Sequence, residues 1–462
     1  MRYLSTRGAA PVLDFEAVML AGLARDGGLY VPAEWPDLTR RLKDFRGLSY
    51  QALAFEMLSP FVGSSLSPAV LGDAIDGAYA SFGHKAVCPL VQLGPNDFLL
   101  ELFHGPTLAF KDVAMQLLGR LFNAVLTRRG EQVTVLGATS GDTGSAAIEA
   151  LKGMGSVRVV MLHPKGRVSE VQRRQMTTVL DPNIHNIAIE GTFDDCQALV
   201  KALFNRHDFR DRARLSAVNS INWARIVAQT VYYVYAGLAL GAPDRAVSFS
   251  VPTGNFGDVY AGYVASRMGL PVERLVVATN RNDILARALN AGDYSTGTVQ
   301  PTISPSMDIQ VSSNFERLLF DLYGRDGAVT AAAMAGFQAT GKLGLGANLL
   351  AEARRLFAAV AIDEDLTRET IAKTRRETGL VVDPHSAVGL AGAAAARGDA
   401  AVPMVTLATA HPAKFPAAVE AACGVSPALP PRMADLYQRD ERYAVLPNDA
   451  DALQSHISAI IG

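Results

Sequence analysis

Residues 132–152 read QVTVLGATSGDTGSAAIEALK. A β-branched run over 132–137 gives way to a glycine-rich turn. An Ala-rich stretch with helical spacing follows over 145–152. Strand, glycine turn and helix in that order make half of a βαβ unit. The same order recurs on either side. A strand is predicted over 98–103 before a helix over 114–127, and further strands over 157–163 and 186–189. Thr192 opens a helix, with Asp195 at capping-box spacing. A strand over 246–252 precedes a helix over 257–268 closed by Gly269, and another strand covers 274–280. Strands alternating with helices place the chain in the α/β class with parallel sheets.

The flanks read differently. Residues 1–82 are helical and loop-rich, with helices over 15–23, 50–58 and 69–82 and a short extended piece at 29–32; this segment reads as a structural cap. Residues 281–400 read as mostly helical, including 348–360 and 367–377. A late strand over 402–409 leads into a helix through Cys423, then a Pro-rich and finally polar tail.

At 462 residues, two or three domains are expected. With 43 basic and 45 acidic residues the net charge is −2, so no global field favours nucleic acid or an anionic membrane. Cys88, Cys196 and Cys423 lie far apart with no CxxC spacing, which excludes a zinc knuckle and a disulfide framework. No leader-like apolar region opens the chain, and no apolar run reaches the roughly 18 residues of a membrane span. A soluble cytoplasmic protein is the expectation. The eight histidines show no HxxxH or HExxH spacing, so no metal is expected. Residues 336–342, GFQATGK, imitate a P-loop, but Leu343 stands where Ser or Thr should be and no strand precedes them.

Three stretches carry candidate chemistry. Residues 137–145 (GATSGDTGS) and 253–258 (TGNFGD) each follow a predicted strand and open a predicted helix. Free N–H groups in a helix's first turn, with the positive end of its dipole, bind anions. Each is also compatible with an ordinary βα turn. The third stretch, 101–113, reads ELFHGPTLAFKDV. Lys111 there is either a partly buried, tuned amine or a lysine snorkelling from an amphipathic helix. Two anion sites and a special lysine suggest a ligand with two anionic groups, such as a phosphate and a carboxylate. His385 and His411, each beside a proline, line a site or cap a turn.

These stretches together resemble the fold-type-II pyridoxal-phosphate-dependent enzymes (tryptophan synthase β-like) and, among them, the threonine synthase family. HGPTLAFKD (104–112) is similar to the cofactor-lysine motif, which implies that Lys111 is the Schiff-base lysine. ATSGDTGSAA (138–147) resembles the substrate loop, implying that Thr139, Ser140, Gly141 and Thr143 hold the substrate carboxylate. Asp142 stands where many relatives place Asn beside the cofactor's 3′-oxygen. TGNFGD (253–258) resembles the cofactor-phosphate loop, implying roles for Gly254, Asn255, Phe256, Gly257 and Asp258, the last through its N–H alone with its side chain turned away. LATAHPAKF (407–415) implies that Thr409 meets the pyridine nitrogen. YLSTRG (3–8), DGGLYVP (26–32), SMDIQVSSNFERLLF (306–320) and DPHSAVG (383–389) resemble further threonine synthase blocks.

The resemblance implies two open parallel-sheet α/β domains with pyridoxal 5′-phosphate between them. Residues 83–245 would carry the lysine and substrate loop, and 246–462 the cofactor-phosphate loop and C-terminal helices, with 1–82 as a helical N-terminal domain. It implies conversion of O-phospho-L-homoserine and water to L-threonine and phosphate. The alternative is a phospho-lyase yielding 2-oxobutyrate, ammonia and phosphate. The substrate's own phosphate then needs a third anion site, for which Ser312, Ser313, Asn314, Arg317 and Lys414 are candidates; Arg317 and Lys414 equally suit a solvated face. Neither nucleic acid nor membrane is an expected partner, and a monomer is expected over a homodimer.

Overall fold

The computed structural model describes residues 1–216 and 220–461. Its strands are β1 (Tyr3–Ser5), β2 (Tyr30–Pro32), β3 (Leu90–Gly94), β4 (Asp97–Glu101), β5 (Val133–Ala138), β6 (Val157–Pro164), β7 (Ile184–Glu190), β8 (Leu215–Ser216), β9 (Val247–Pro252), β10 (Val272–Thr279), β11 (Asp293–Ser295), β12 (Lys342–Gly344), β13 (Phe357–Ala361), β14 (Met404–Ala408) and β15 (Ala444–Pro447). Two large sheets organise them. One has the order β13-β10-β9-β14-β4-β3, parallel except for the antiparallel edge pair β3/β4. The other has the order β15-β7-β6-β5-β8 and is parallel throughout. Strands buried on both faces tend to read as continuous apolar runs, as VVML does within β6; β9, VSFSVP, is buried along its whole length although two serines interrupt it.

The sheets cross the expected boundary at residue 245. β3 and β4 precede it yet pair with β14, and β15 pairs with β7 from the far end of the chain. The tail after Pro427 is therefore structured: β15 and the helix Ala450–Ile461 close the second sheet. The expected helix over 348–360 is a helix only over Ala347–Ala353, and its second half is the strand β13. The helix Trp223–Ala239 is buried along most of its length and packs against the helices Tyr50–Val62, Lys111–Arg129 and Gly257–Arg267.

Residues 1–82 pack onto this body. β1 and β2 pair with each other, and the helices Phe15–Ala21, Tyr50–Val62 and Pro68–Tyr79 pack inward. Trp223 is fully buried, against Tyr3, Trp35 and Phe61. The Asn222 side chain donates to Met19 O at 2.8 Å, joining the cap to the start of the long helix. The capping box predicted at Thr192 and Asp195 is present. Of the P-loop-like 336–342, residues 336–340 end the helix Gly327–Thr340 and Lys342 opens β12, so a helix and not a strand precedes the turn.

Candidate functional site

Three neighbouring parallel strands of the six-stranded sheet, β9, β14 and β4, end side by side. Their carboxyl ends carry the 253–258 loop, Thr409 and the Lys111 loop, where ligands bind in open parallel sheets. The substrate-like loop 138–143 leaves the carboxyl end of β5 in the other sheet.

The Lys111 loop is wound tightly by its own residues. Thr107 donates to Asp112 from both its N–H (2.7 Å) and its hydroxyl (2.6 Å). A Cβ on Gly105 would lie 2.3 Å from the Asp112 Cβ, so only glycine allows the approach. Phe110 N–H donates to Thr409 O at 2.8 Å, and an isolated bridge joins Ala109 to Ala410. Lys111 thus opens the helix Lys111–Arg129 next to Thr409, and its Nζ donates to Asp142 Oδ2 at 3.2 Å.

Asp142 is the first residue of the helix Asp142–Leu151. Thr139 Oγ1 accepts from the N–H groups of Gly141 and Gly144, both at 2.9 Å, and so shapes the loop. Gly141 takes φ 139° and could carry no Cβ, which would sit 2.4 Å from the Gln172 side chain. Its N–H is used within the loop. The N–H groups of Ser140, Asp142 and Thr143 have no hydrogen-bond partner among the described residues.

A second row of such donors follows β9. Among the described residues, the N–H groups of Gly254, Asn255, Phe256, Gly257 and Asp258 lack partners. Phe256 holds φ 62° as the N-cap of the helix Gly257–Arg267, and its ring is anchored against Phe315 and Phe357. Five unbonded amides at a helix start fit a phosphate. The Asp258 carboxylate takes hydrogen bonds from the Tyr232 and Tyr233 hydroxyls. Ser306 joins the two rows. Its carbonyl lies against Gly254, its hydroxyl donates to Asp142 Oδ2 at 3.2 Å, and its N–H donates to His385 Nε2 at 3.2 Å. His385 Nδ1 is 2.6 Å from Asp383 Oδ2, so that nitrogen carries the proton and Nε2 accepts. His411 instead accepts from Ala413 N–H and faces a cavity of about 630 Å³ that it lines with Glu101, Phe103, His104 and Arg432.

The substrate-phosphate candidates divide. Ser313 is exposed beside Asn255, its hydroxyl 3.4 Å from Asn255 Oδ1. Ser312 donates to Gly254 O at 2.8 Å and so braces the loop. Asn314 does the same, donating to Asn255 O at 3.0 Å and to Ser220 O at 3.2 Å. Arg317 does not face the site: it is fully buried and gives its donors to Tyr30 O, Ile221 O and Asn314 Oδ1. Nor does Lys414 have a donor left for phosphate. Its buried Nζ spends all three N–H bonds on Thr107 O (2.7 Å), Asp142 Oδ1 (2.9 Å) and Gln175 Oε1 (3.0 Å).

Sequence reasoning missed Arg225. It is buried at the start of the helix Trp223–Ala239, and its Nε and Nη1 have no hydrogen-bond partner among the described residues. Burial lowers its pKa to about 10, and its charge is near enough to depress Lys111. A buried guanidinium without an anion is costly, so the position calls for one. No local motif marks it; only the assembled site does.

The electrostatics suit a reactive amine. Burial lowers the Lys111 pKa, Asp142 opposes that, and the Lys414 and Arg225 charges add to it. Burial alone would raise the Asp142 carboxyl; the Lys111 and Lys414 ammoniums and Gln172 outweigh it and hold Asp142 well below the usual carboxylate range. Among the described residues no group of three or more His, Cys, Asp or Glu could hold a metal ion, and no helix is long and apolar enough to cross a membrane.

Comparison with known proteins agrees over the full chain. A family profile described as "Threonine synthase N terminus" matches residues 2–79. One described as "Pyridoxal-phosphate dependent enzyme" matches 89–409, and "Threonine synthase, C-terminal" matches 386–457. The chain is 57% identical to a threonine synthase from Pseudomonas aeruginosa, covering 99% of this chain and 98% of that one. The crystal structure of a PLP-bound threonine synthase from Brucella melitensis superposes with a TM-score of 0.98 at 54% identity, over 100% of this chain and 99% of that one. Yeast threonine synthase superposes with a TM-score of 0.94 at 39% identity, over 100% and 98% of the two chains.

Proposed function

The chain belongs to the threonine synthase family of pyridoxal-phosphate-dependent enzymes, and from that membership we infer that the site just described makes L-threonine and phosphate from O-phospho-L-homoserine and water. The observation that carries the residue assignment is Lys111: its part-buried Nζ rests on Asp142, and Ser306 ties Asp142 to the row of unbonded amides at 254–258. Pyridoxal 5′-phosphate, joined to Lys111, supplies the electron sink for proton loss next to the amino group.

The chain's own residues do the rest. The amides of Gly254, Asn255, Phe256, Gly257 and Asp258 hold the cofactor phosphate, and the Thr409 hydroxyl meets the ring nitrogen as a neutral partner. Those of Ser140, Asp142 and Thr143 orient the substrate carboxylate at the second helix start. Arg225 binds the substrate's phosphate and steadies it as it leaves, with Ser313 and Asn255 as neutral donors nearby. Lys111, disfavoured as an ammonium by burial, accepts the proton from the substrate's Cα. Ser312 and Asn314 keep the amide row in shape.

The experiment is to supply purified enzyme with O-phospho-L-homoserine and follow threonine and phosphate together. Equal release of both is expected, and Lys111→Ala should lose the visible absorbance of bound cofactor and all turnover. Phosphate released with 2-oxobutyrate in place of threonine would overturn the reading in favour of a phospho-lyase.

A further inference from the structure

Asp142 is shared between two lysines. Its Oδ2 accepts from Lys111 Nζ at 3.2 Å and from Ser306 Oγ at 3.2 Å. Its Oδ1 accepts from Lys414 Nζ at 2.9 Å and from Gln172 Nε2 at 2.8 Å. The two amines are not equivalent. Lys111 lies at the reacting centre and changes its bonding and charge in every turnover. Lys414 is fully buried and has all three donors filled, two of them by Thr107 O and Gln175 Oε1.

We propose that Lys414 is a positioning residue for Lys111 and acts through Asp142. By holding one carboxylate oxygen permanently, it leaves Lys111 with a divided counter-ion, so that the Lys111 nitrogen gives up its proton readily while Asp142 stays in place. This deepens the reading of Lys111 as the cofactor lysine and rests on it.

The charges facing Lys111 come from three elements: Asp142 from the helix Asp142–Leu151, Lys414 from the turn after β14, and Arg225 from the helix Trp223–Ala239. Asp112 faces Lys414 from the helix Lys111–Arg129. With Lys414 neutralised, one anion remains for Lys111 and one cation fewer repels it. Both changes strengthen proton binding at Lys111. A lysine that merely filled space would leave Lys111 unchanged when replaced by a neutral side chain of similar length.

The test uses two readouts. In the holoenzyme, the visible absorbance of the bound cofactor is titrated with pH. In the cofactor-free protein, acetylation of Lys111 by acetic anhydride is followed against pH by peptide mass. For Lys414→Met the midpoints should rise by roughly one pH unit in both, and Lys414→Arg should return them toward wild type. Lys414→Gln, which keeps a donor toward Thr107, takes the place of the methionine variant should that one not fold. Made on an Asp142→Asn background, the same exchange should move the midpoints less than half as far. Midpoints that stay put or fall would overturn the proposal. A wild-type protein that never takes up the cofactor would overturn the site reading instead, and the acetylation profile would still decide the role of Lys414.

Discussion

The Arg225 Nε and Nη1 have no hydrogen-bond partner among the described residues, and that makes its replacement informative in two directions at once. A buried, unpaired cation destabilises the fold, so Arg225→Met should raise unfolding free energy by roughly 1–3 kcal/mol in urea melts. The same change removes the charge that would meet the substrate's phosphate. A drop of about a hundredfold in kcat/KM, carried largely by KM, is expected. Asp258 gives a second prediction at this scale. Burial lifts its pKa to about 6, against the pull of the Tyr232 and Tyr233 hydroxyls. Between about pH 4 and pH 6 the folded chain therefore holds a proton that the unfolded chain releases, and stability falls as pH rises through that window. Asp112, lifted to about 6 by burial, adds to this slope, whereas His163 and His411, lowered to about 4 by burial, oppose it. Asp258→Asn should remove its share of the fall, so that stability rises more with pH than in wild type. Its stability relative to wild type should improve between pH 4 and pH 7 by about 3 kcal/mol, the worth of a two-unit shift; denaturant melts at both ends of that range measure it.

At the scale of single elements, the loop after β5 depends on one backbone geometry. Gly141 holds φ 139°, and Gln172, whose Nε2 donates to Asp142 at 2.8 Å, occupies the space a Cβ would need. Gly141→Ala should cost about 2 kcal/mol or more. It should also push Gln172 off Asp142, raising KM for the amino-acid substrate, which steady-state kinetics would read. Such loops were legible in the sequence because their signals are local. A glycine turn after a β-branched run, and caps such as Thr192 with Asp195, need no knowledge of the rest of the chain. Where an element is decided by its neighbours, legibility ended. FAAVA in β13 is a short apolar run with no period to choose between helix and strand, and pairing with β10 chose strand. The helix Trp223–Ala239 is rich in Val, Ile, Thr and Tyr, weak helix formers, and burial overrides that preference.

Across the whole molecule, the sheet order β13-β10-β9-β14-β4-β3 mixes strands from both ends of the chain, and no local pattern announces that. It is also why Lys111, the 254–258 amides and Thr409 meet, and why Arg317 and Lys414 read from sequence as plausible phosphate ligands. Residue type was visible; that each was already saturated by partners far along the chain was not. The N-terminal cap makes the same point energetically. Glu316, buried in the catalytic body, accepts from the Thr6 hydroxyl at 2.6 Å and pairs with the Arg7 guanidinium at 2.9 Å. Arg317, next in sequence, donates to Tyr30 O at 3.1 Å. Together with Trp223 packed on Tyr3 and Phe61, these contacts make the cap and the body one core. Both should therefore unfold in a single transition, with tryptophan fluorescence and far-UV circular dichroism coincident. Glu316→Ala strands the Arg7 guanidinium and the Thr6 hydroxyl, and should cost about 3 kcal/mol while keeping one transition. A cap held on weakly would behave otherwise: the variant would split into two transitions, with residues 1–79 melting first and the cofactor retained until the second.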